Sequence, residues 1–450
     1  MTLSRRLRLS LLLLALIAGY SGFQLAIESL KPENVTNKDF LQEYLMARAL
    51  LAGVSPYQPL PDLDKYFQTG DKQYRPHASP HTPGFAIFTA PFAFMSYAQA
   101  AWAWFLVEIL CLYAAVFLLL RGFNASVNPL FALLITWVAL GWSHVWEDLI
   151  WGQINTVLLL LIVGAWLNLR GGRRWSGGAL LGAAISFKLI FWPIALFLVL
   201  RRRWSSAIMA LVVFAVTNLI ASAAMGWRVV AYYYTDVGPS TAALYRAYGY
   251  NLSLWSVGWR VFSGTGSPTI RGVAAPPIFF APRLAIITSL LLTGAALVLG
   301  LAASIRTASQ PDRYGKAGGT VNFDHAYGMM ICVCLLVSPM IWPHYLILLA
   351  FPMAVIARRL RDLTFPRRQT LLCVIAVLIL LIPIISYEDF LLSFSSAPNI
   401  FPNESGLRPD VPVSFTVGLL HLPPTSSALI ILWLTRRLSR LPGGERPQVL

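Results

Sequence analysis

The stretch NVTNKDFLQEYLMARALLAGVSPY, residues 34–57, opens a helix-periodic run with an acid, Asp39. A carboxylate there has two uses. It can help start the helix, with Thr36 as N-cap and Asp39 at the third helical position of a capping box, where an acid also suits the helix dipole. It can instead take a proton from a hydroxyl group. Other stretches offer complementary chemistry. RPHASPHTPGF, residues 75–85, sets His77 and His81 in a stiff Pro-rich loop, which is not a preset helical metal pair. EDLIWGQIN, residues 147–155, has Glu147 and Asp148, which read as solvated turn acids. Its Gln153 and Asn155 enter an apolar run, where amides line an interior site rather than lipid. GAAISFKLIFWP, residues 182–193, holds Lys188 between apolar neighbours. A lysine in such a run snorkels or meets an anion such as a lipid phosphate. The aromatic-rich residues 231–264 suit an interfacial belt or the faces of sugars. Asn251, Ser253 and Arg260 supply polar groups there, and a helix holding both Asn251 and Arg260 would set them about 14 Å apart. LVSPMIWPHYLILLA, residues 336–350, presents Trp342, His344 and Tyr345 at a Pro-interrupted turn.

The elements that must position these groups are membrane helices. Of 450 residues, 57% are hydrophobic and 12% charged, whereas soluble domains are roughly one quarter charged. A backbone in lipid must satisfy its own hydrogen bonds, so the spans are helical. Spans are expected at 9–28, 101–120, 128–146, 152–169, 205–225, 283–303, 325–341, 344–357, 369–386 and 412–434. The first reads as a retained span rather than a cleaved signal peptide. The stretch 84–97 reaches roughly 21 Å as a helix, short of a core of about 30 Å, and is expected in the interface. The stretch 179–200, broken near Lys188 and Pro193, is expected to dip in and return.

That leaves about ten crossings with both termini cytoplasmic. The basic clusters at 5–8, 121, 170–174, 201–203, 306–316, 358–368 and 436–446 then all face inside. The net charge of +16 is therefore a topology signal, and nucleic-acid binding is not expected. Outer loops fall at 29–100, 226–282 and 387–411 of a single membrane domain, 1–450. The helix from Phe40 has an apolar face (Tyr44, Ala47, Leu51) and a polar one (Gln42, Glu43, Arg48), so it is expected to lie along the membrane surface. Cys111, Cys332, Cys334 and Cys373 sit in apolar runs and read as reduced, packed thiols. No nucleotide-phosphate loop is present.

Taken in order, several pieces resemble glycosyltransferase family 87 of the GT-C superfamily. They are Asp39 with ARALLAGVSPY, HTPGFAIFTAPFAF at 81–94, WGQIN at 151–155, GGALLGAAISFKLIFWP at 177–193, NLSLWSVGWR at 251–260 and SPMIWPHYLILL at 338–349. The resemblance implies a GT-C-like fold with interfacial and re-entrant short helices and an outward-opening donor groove. It implies a single sugar, usually mannose and in some members arabinofuranose, delivered from a polyprenyl phosphate. Asp39 matches the acid taken as the catalytic base, and His344 the histidine near the donor phosphate. Thr82-Pro83-Gly84 stands where many members have a Pro-Pro pair. Leu252 and Ile341 replace a usual Gln and Ser.

Such chemistry is coherent with the residues. A sugar phosphate has an anionic leaving group, so one base suffices, with positive charge near the phosphate. Lys188, with Arg260 or His344, would supply that charge, and His81, Gln153, Asn155, Asn251 and Trp342 would contact substrate. A hydrolase would use a carboxylate pair. Neither metal nor cofactor is expected, and the helix from Phe40 carries no Asp-x-Asp. The transfer would be inverting, to a lipid or glycan acceptor in cell-envelope synthesis, on the periplasmic side of a bacterial inner membrane. The alternatives are a secondary transporter or lipid-linked sugar flippase, and an envelope scaffold subunit.

Overall fold

Where the described residues run apolar, the backbone has closed its own hydrogen bonds as helix. The computed structural model describes residues 5–362 and 433, apart from 71–76, 124–126, 249, 265–276 and 310–319. Among these residues there is no strand, only an isolated bridge between Pro59 and Ala78. The helices in order are α1 (Arg5–Glu28), α2 (Phe40–Leu51), α3 (Leu60–Phe67), α4 (Pro83–Thr89), α5 (Tyr97–Gly122), α6 (Pro129–Leu140), α7 (Ser143–Trp151), α8 (Asn155–Arg170), α9 (Arg174–Phe187), α10 (Trp192–Leu200), α11 (Trp204–Met225), α12 (Trp227–Tyr232), α13 (Gly238–Leu244), α14 (Leu254–Ser263), α15 (Pro282–Ser309), α16 (Thr320–Val337) and α17 (Ala350–Asp362). The chain is an all-α, multi-pass membrane protein.

Local sequence explains the starts. Ser96 forms a reciprocal capping box with Gln99 ahead of α5. Thr82 caps α4 and Asn128 caps α6, each followed by a proline at the first helical position. Four helices are long and apolar enough to cross a membrane: Leu9–Glu28 of α1, α5, α11 and α15. The expected span 128–146 instead turns by 82° between α6 and α7. Spans 152–169 and 325–341 appear as the shorter apolar helices α8 and α16. The expected helix 344–357 begins as a 3-10 turn, Pro343–Leu349, before α17. The stretch 84–97 divides into α4 and a 3-10 turn at Ala90–Phe94, with Pro91 inside it. The stretch 179–200 breaks at Lys188, whose backbone is extended (φ −145°, ψ 123°), to give α9 and α10. Expected spans 369–386 and 412–434, and loop 387–411, lie outside the described residues.

The chain divides into two compact units. One comprises Met1–Leu189 and Trp204–Thr241, the other Ile190–Arg203 and Ala242–Leu450. In the first, α9 and α11 meet backbone to backbone. A Cβ at Gly178 would lie 2.3 Å from the Ser206 carbonyl oxygen, and one at Gly182 would lie 2.5 Å from that of Ala210. Small residues four apart on both helices permit this approach. Helix α2 does not present its polar face to water: Phe40 through Ala47 are all buried, Glu43 (2% exposed) nearly as fully as Tyr44 (1%). The polar face finds protein partners instead of water, so both faces are enclosed. In the second unit, α14 packs against α15 through Gly258, where a Cβ would lie 2.4 Å from the Ala285 carbonyl oxygen.

Candidate active site

Asp39 stands at the start of α2, but the expected capping box does not form. Thr36 belongs to a 3-10 turn, Val35–Asn37, and its hydroxyl is buried without a hydrogen-bond partner. Lys38 is extended, and Asp39 itself takes the cap position with no side-chain cap bond. Its carboxylate instead accepts from Gln153 Nε2 at 3.0 Å and from Gln42 Nε2 at 3.4 Å. Asp39 is half-buried. Its neighbour Phe40 stacks on Trp104 of α5, ring centroids 5.1 Å apart.

The turn that brings Gln153 to Asp39 is built by Gly152, which ends α7 in a left-handed conformation (φ +67°). Trp104 Nε1 donates to the Gly152 carbonyl at 2.8 Å. Lys38 fastens the same turn: its ammonium donates to the Leu149 and Ile150 carbonyls, each at 2.7 Å, and to Ser29 Oγ at 2.8 Å. Those carbonyls end α7, where a cation is favoured. Burial pushes the Lys38 amine down to about 8, against the upward pull of Glu108, Asp39 and Asp148.

Asp148 is not a solvated turn acid. It is fully buried, and accepts from Asn155 Nδ2 at 2.6 Å and from the Thr156 amide at 3.3 Å. Asn155, expected to meet substrate, is thus engaged with Asp148. The acid is held because it caps the exposed amides that begin α8.

His81 lies 2.5 Å, Nε2 to Oε1, from Glu43 of α2, both buried. Its backbone is held from two sides: Tyr57 donates to the His81 carbonyl and Tyr233 to the Pro80 carbonyl, each at 3.0 Å. His77 lies apart, its Nδ1 2.8 Å from the Ala78 carbonyl oxygen. Thr82 joins the loop to the end of α9, donating to the Ser186 carbonyl and, at 3.1 Å, to that of Phe187. The next residue is Lys188, whose ammonium is buried and drawn by the carboxylates of Asp148, Glu43 and Asp39. The first unit therefore brings together Asp39, His81, Gln153, Asn155 and Lys188. An Asp-x-Asp occurs at Asp62-Leu63-Asp64 on α3, not on α2. No group of His, Cys, Asp and Glu among the described residues has a metal-holding arrangement.

The second unit clasps two other pieces. Asn251 Nδ2 donates to the carbonyls of Pro339 (2.9 Å) and Tyr245 (3.1 Å), while its Oδ1 accepts from the amides of Ile341 (3.1 Å) and Ser253 (3.2 Å). Asn251 and Arg260 do not share a helix: α14 starts at Leu254. Arg260 folds back to donate to the carbonyls of Tyr248 and, at 2.9 Å, Asn251. The Trp342 ring is flanked by Tyr245 and Tyr248 at 5.3 and 5.2 Å. His344 is buried beside Tyr345.

Sequence reasoning had passed over Lys38, Glu43 and Asp148 as site residues. These features define a multi-pass helical membrane protein with acids, lysines and a histidine gathered inside one helical unit. Glycosyltransferase family 87 matches residues 80–339, more than half of the sequence, and the chain belongs to that family. His81, Gln153, Asn155, Lys188, Asn251 and Arg260 lie within the matched residues; Asp39, Trp342 and His344 lie outside them. The chain is similar to an α-(1→3)-arabinofuranosyltransferase of Mycobacterium tuberculosis, 29% identical over 164 residues covering 34% of this chain and 38% of the relative. It is also similar to an α-(1→3)-arabinofuranosyltransferase of Corynebacterium glutamicum, 24% identical over 208 residues covering 46% of each. The chain thus spans less than half the length of these curated relatives. No solved structure matches the chain.

Proposed function

We propose that the protein moves a single sugar from a polyprenyl-phosphate donor to an acceptor hydroxyl at the outer face of the membrane, with inversion and with Asp39 as general base. The observation that carries this reading is the Asp39 carboxylate: it starts a helix without capping it, remains half-exposed, and is oriented by Gln153 and Gln42. In the step, the acceptor O–H bond breaks and its proton goes to Asp39. The new bond forms between the acceptor oxygen and the anomeric carbon. The bond from that carbon to the phosphate oxygen breaks, and its electron pair leaves with polyprenyl phosphate. The leaving group is already anionic, so no general acid is needed.

On the donor side the reading assigns phosphate contact to Lys188, His344 and Arg260, and sugar or acceptor contact to His81, Gln153, Asn155, Asn251 and Trp342. Arg260 and Asn251 already serve backbone carbonyls, so their part is to shape the 251 and 339–341 segments as well as to meet substrate. Mannose is the sugar that the family resemblance favours. The names of the relatives favour a second reading, arabinofuranose. Membership of a glycosyltransferase family tells against a transporter or flippase. A bacterial inner membrane with a periplasmic site completes the proposal.

Asp39→Asn keeps the shape and removes the base. Transfer from synthetic polyprenyl-phosphoryl mannose and arabinofuranose is expected to fall by about 10²–10⁴-fold, with the variant still inserted and folded. Full activity of purified Asp39→Asn with either donor would sink the assignment.

A further inference from the structure

A short strap, Pro80–Thr82, runs between the helix that Asp39 begins and the end of α9, and the proposed step leaves Thr82 without a part. Its hydroxyl is buried and serves two helices at once. It accepts from the Phe85 amide at 3.4 Å, at the start of α4. Its proton is shared between the Ser186 carbonyl and, at 3.1 Å, that of Phe187, at the end of α9. The last helical bond of α9 runs from the Lys188 amide to the Ala184 carbonyl at 2.9 Å. A helix that stops there leaves the carbonyls of residues 185–188 without intrahelical partners. In an apolar setting each is costly unless another donor meets it. Thr82 meets two of them, so it closes the helix end from which Lys188 departs.

The strap is also held on its other side. Tyr233 donates to the Pro80 carbonyl and Tyr57 to the His81 carbonyl, each at 3.0 Å, while the His81 ring meets Glu43 of α2. Close approach to α9 is possible because residue 84 is glycine. A Cβ there would lie 2.9 Å from the Ser186 carbonyl oxygen and 2.7 Å from Thr217 Cγ2. One strap residue is thus fastened to α2 and the next to the last turn of α9. Two consecutive residues set the spacing between the start of α2 and the Lys188 backbone. We propose that Thr82 is a positioning residue for sugar transfer: by closing the end of α9 it fixes where the Lys188 ammonium stands for the donor phosphate, and Tyr57 and Tyr233 hold the strap that presents it. This rests on Lys188 meeting that phosphate.

The test measures binding of farnesyl phosphate and of farnesol to the full chain in detergent. The two probes differ only in the phosphate, so the ratio of their Kd values reports the phosphate contact alone. Lys188→Gln is expected to lower the preference for the phosphate about tenfold or more. Thr82→Val keeps the shape and removes the hydroxyl. It is expected to lower the preference about three- to tenfold, because the ammonium is displaced rather than deleted, with farnesol affinity unchanged. Thr82→Ser should restore it. Thr89→Val is the control: that hydroxyl is buried on the same short helix and donates to the Phe85 and Ala86 carbonyls, both within α4. It is expected to lower the thermal midpoint and leave the ratio alone. A purely structural Thr82 would do the same, and a wild-type ratio in Thr82→Val overturns the proposal. So does Thr89→Val moving the ratio as far, or Thr82→Ser failing to restore it. Should Thr82→Val not fold, Tyr233→Phe carries the test, with a fall of about threefold expected. Its control is Tyr234→Phe, whose lost bond is to Asn218 of α11; equal ratios in the two overturn the proposal. A wild-type ratio in Lys188→Gln sinks the reading of Lys188 and the proposal with it. A loss in Lys188→Gln with none in Thr82→Val sinks the proposal alone.

Discussion

At Asp39 two uses of a helix-terminal carboxylate compete for the same lone pairs. Oxygens that accept from the first helical amides are less available to a substrate hydroxyl. Here the amide side chains of Gln42 and Gln153 orient them instead. Lys38, the preceding residue, decides how firmly that orientation holds, because two of its bonds tie the base of α2 to the end of α7 and a third ties it to Ser29, just after α1. Burial lowers its amine to about 8, so the ammonium is present below that pH and lost above it. Initial transfer rates are therefore expected to decline on the alkaline side with a midpoint near pH 8. Lys38→Arg, which stays protonated, should move that limb upward by at least about one pH unit; superimposable profiles would assign the limb to another group. Asp39, His81 and Lys188 were legible in the sequence because each stands out by type or motif. Lys38, Glu43 and Asp148 were not. A charged residue in a polar-looking stretch reads as solvated, and burial is decided by elements distant in the chain.

At the scale of elements, the turn between α7 and α8 is the tightest constraint on the site. Gly152 needs a positive φ, and a Cβ there would lie 2.8 Å from Phe40 Cβ and 3.2 Å from Lys38 Cε. Gly152→Ala is expected to cost about 1–2 kcal/mol in backbone strain alone, more with the crowding of Phe40. A lower thermal midpoint in detergent, together with reduced transfer as Gln153 moves off Asp39, would check it. An unchanged midpoint would show that the turn has slack. The break at Lys188 was readable, since a lysine and a proline interrupt one apolar run. The capping box was not. Its spacing fits the sequence 36–39, but Lys38 adopts an extended backbone to reach α7, which delays the helix to Phe40. The amphipathic pattern of α2 misled in the same way: Glu43 of its polar face is turned to His81 and Gln42 to Asp39 rather than to water.

For the whole molecule, composition and charge gave the class but not the path of each span. Apolar runs near 128–146 and 84–97 have the hydropathy of membrane segments, yet Gly141, Trp142 and Pro91 divert the backbone in ways that hydropathy averages away. The charge map still makes a firm demand. In a cysteine-free background, single cysteines at positions 90 and 150 are expected to react with a membrane-impermeant thiol reagent only from outside. Cytoplasmic labelling of position 150 would reverse the map. The seam between α9 and α11 carries a consequence for traffic in the bilayer. With Gly178 and Gly182 lying against the Ser206 and Ala210 carbonyls, the two backbones leave no gap there for a hydrocarbon chain. A prenyl tail cannot thread between them, so any isoprenoid entering this unit must slide in along another side. The seam is a wall, and on the proposed reading the doorway for the donor has to be sought elsewhere.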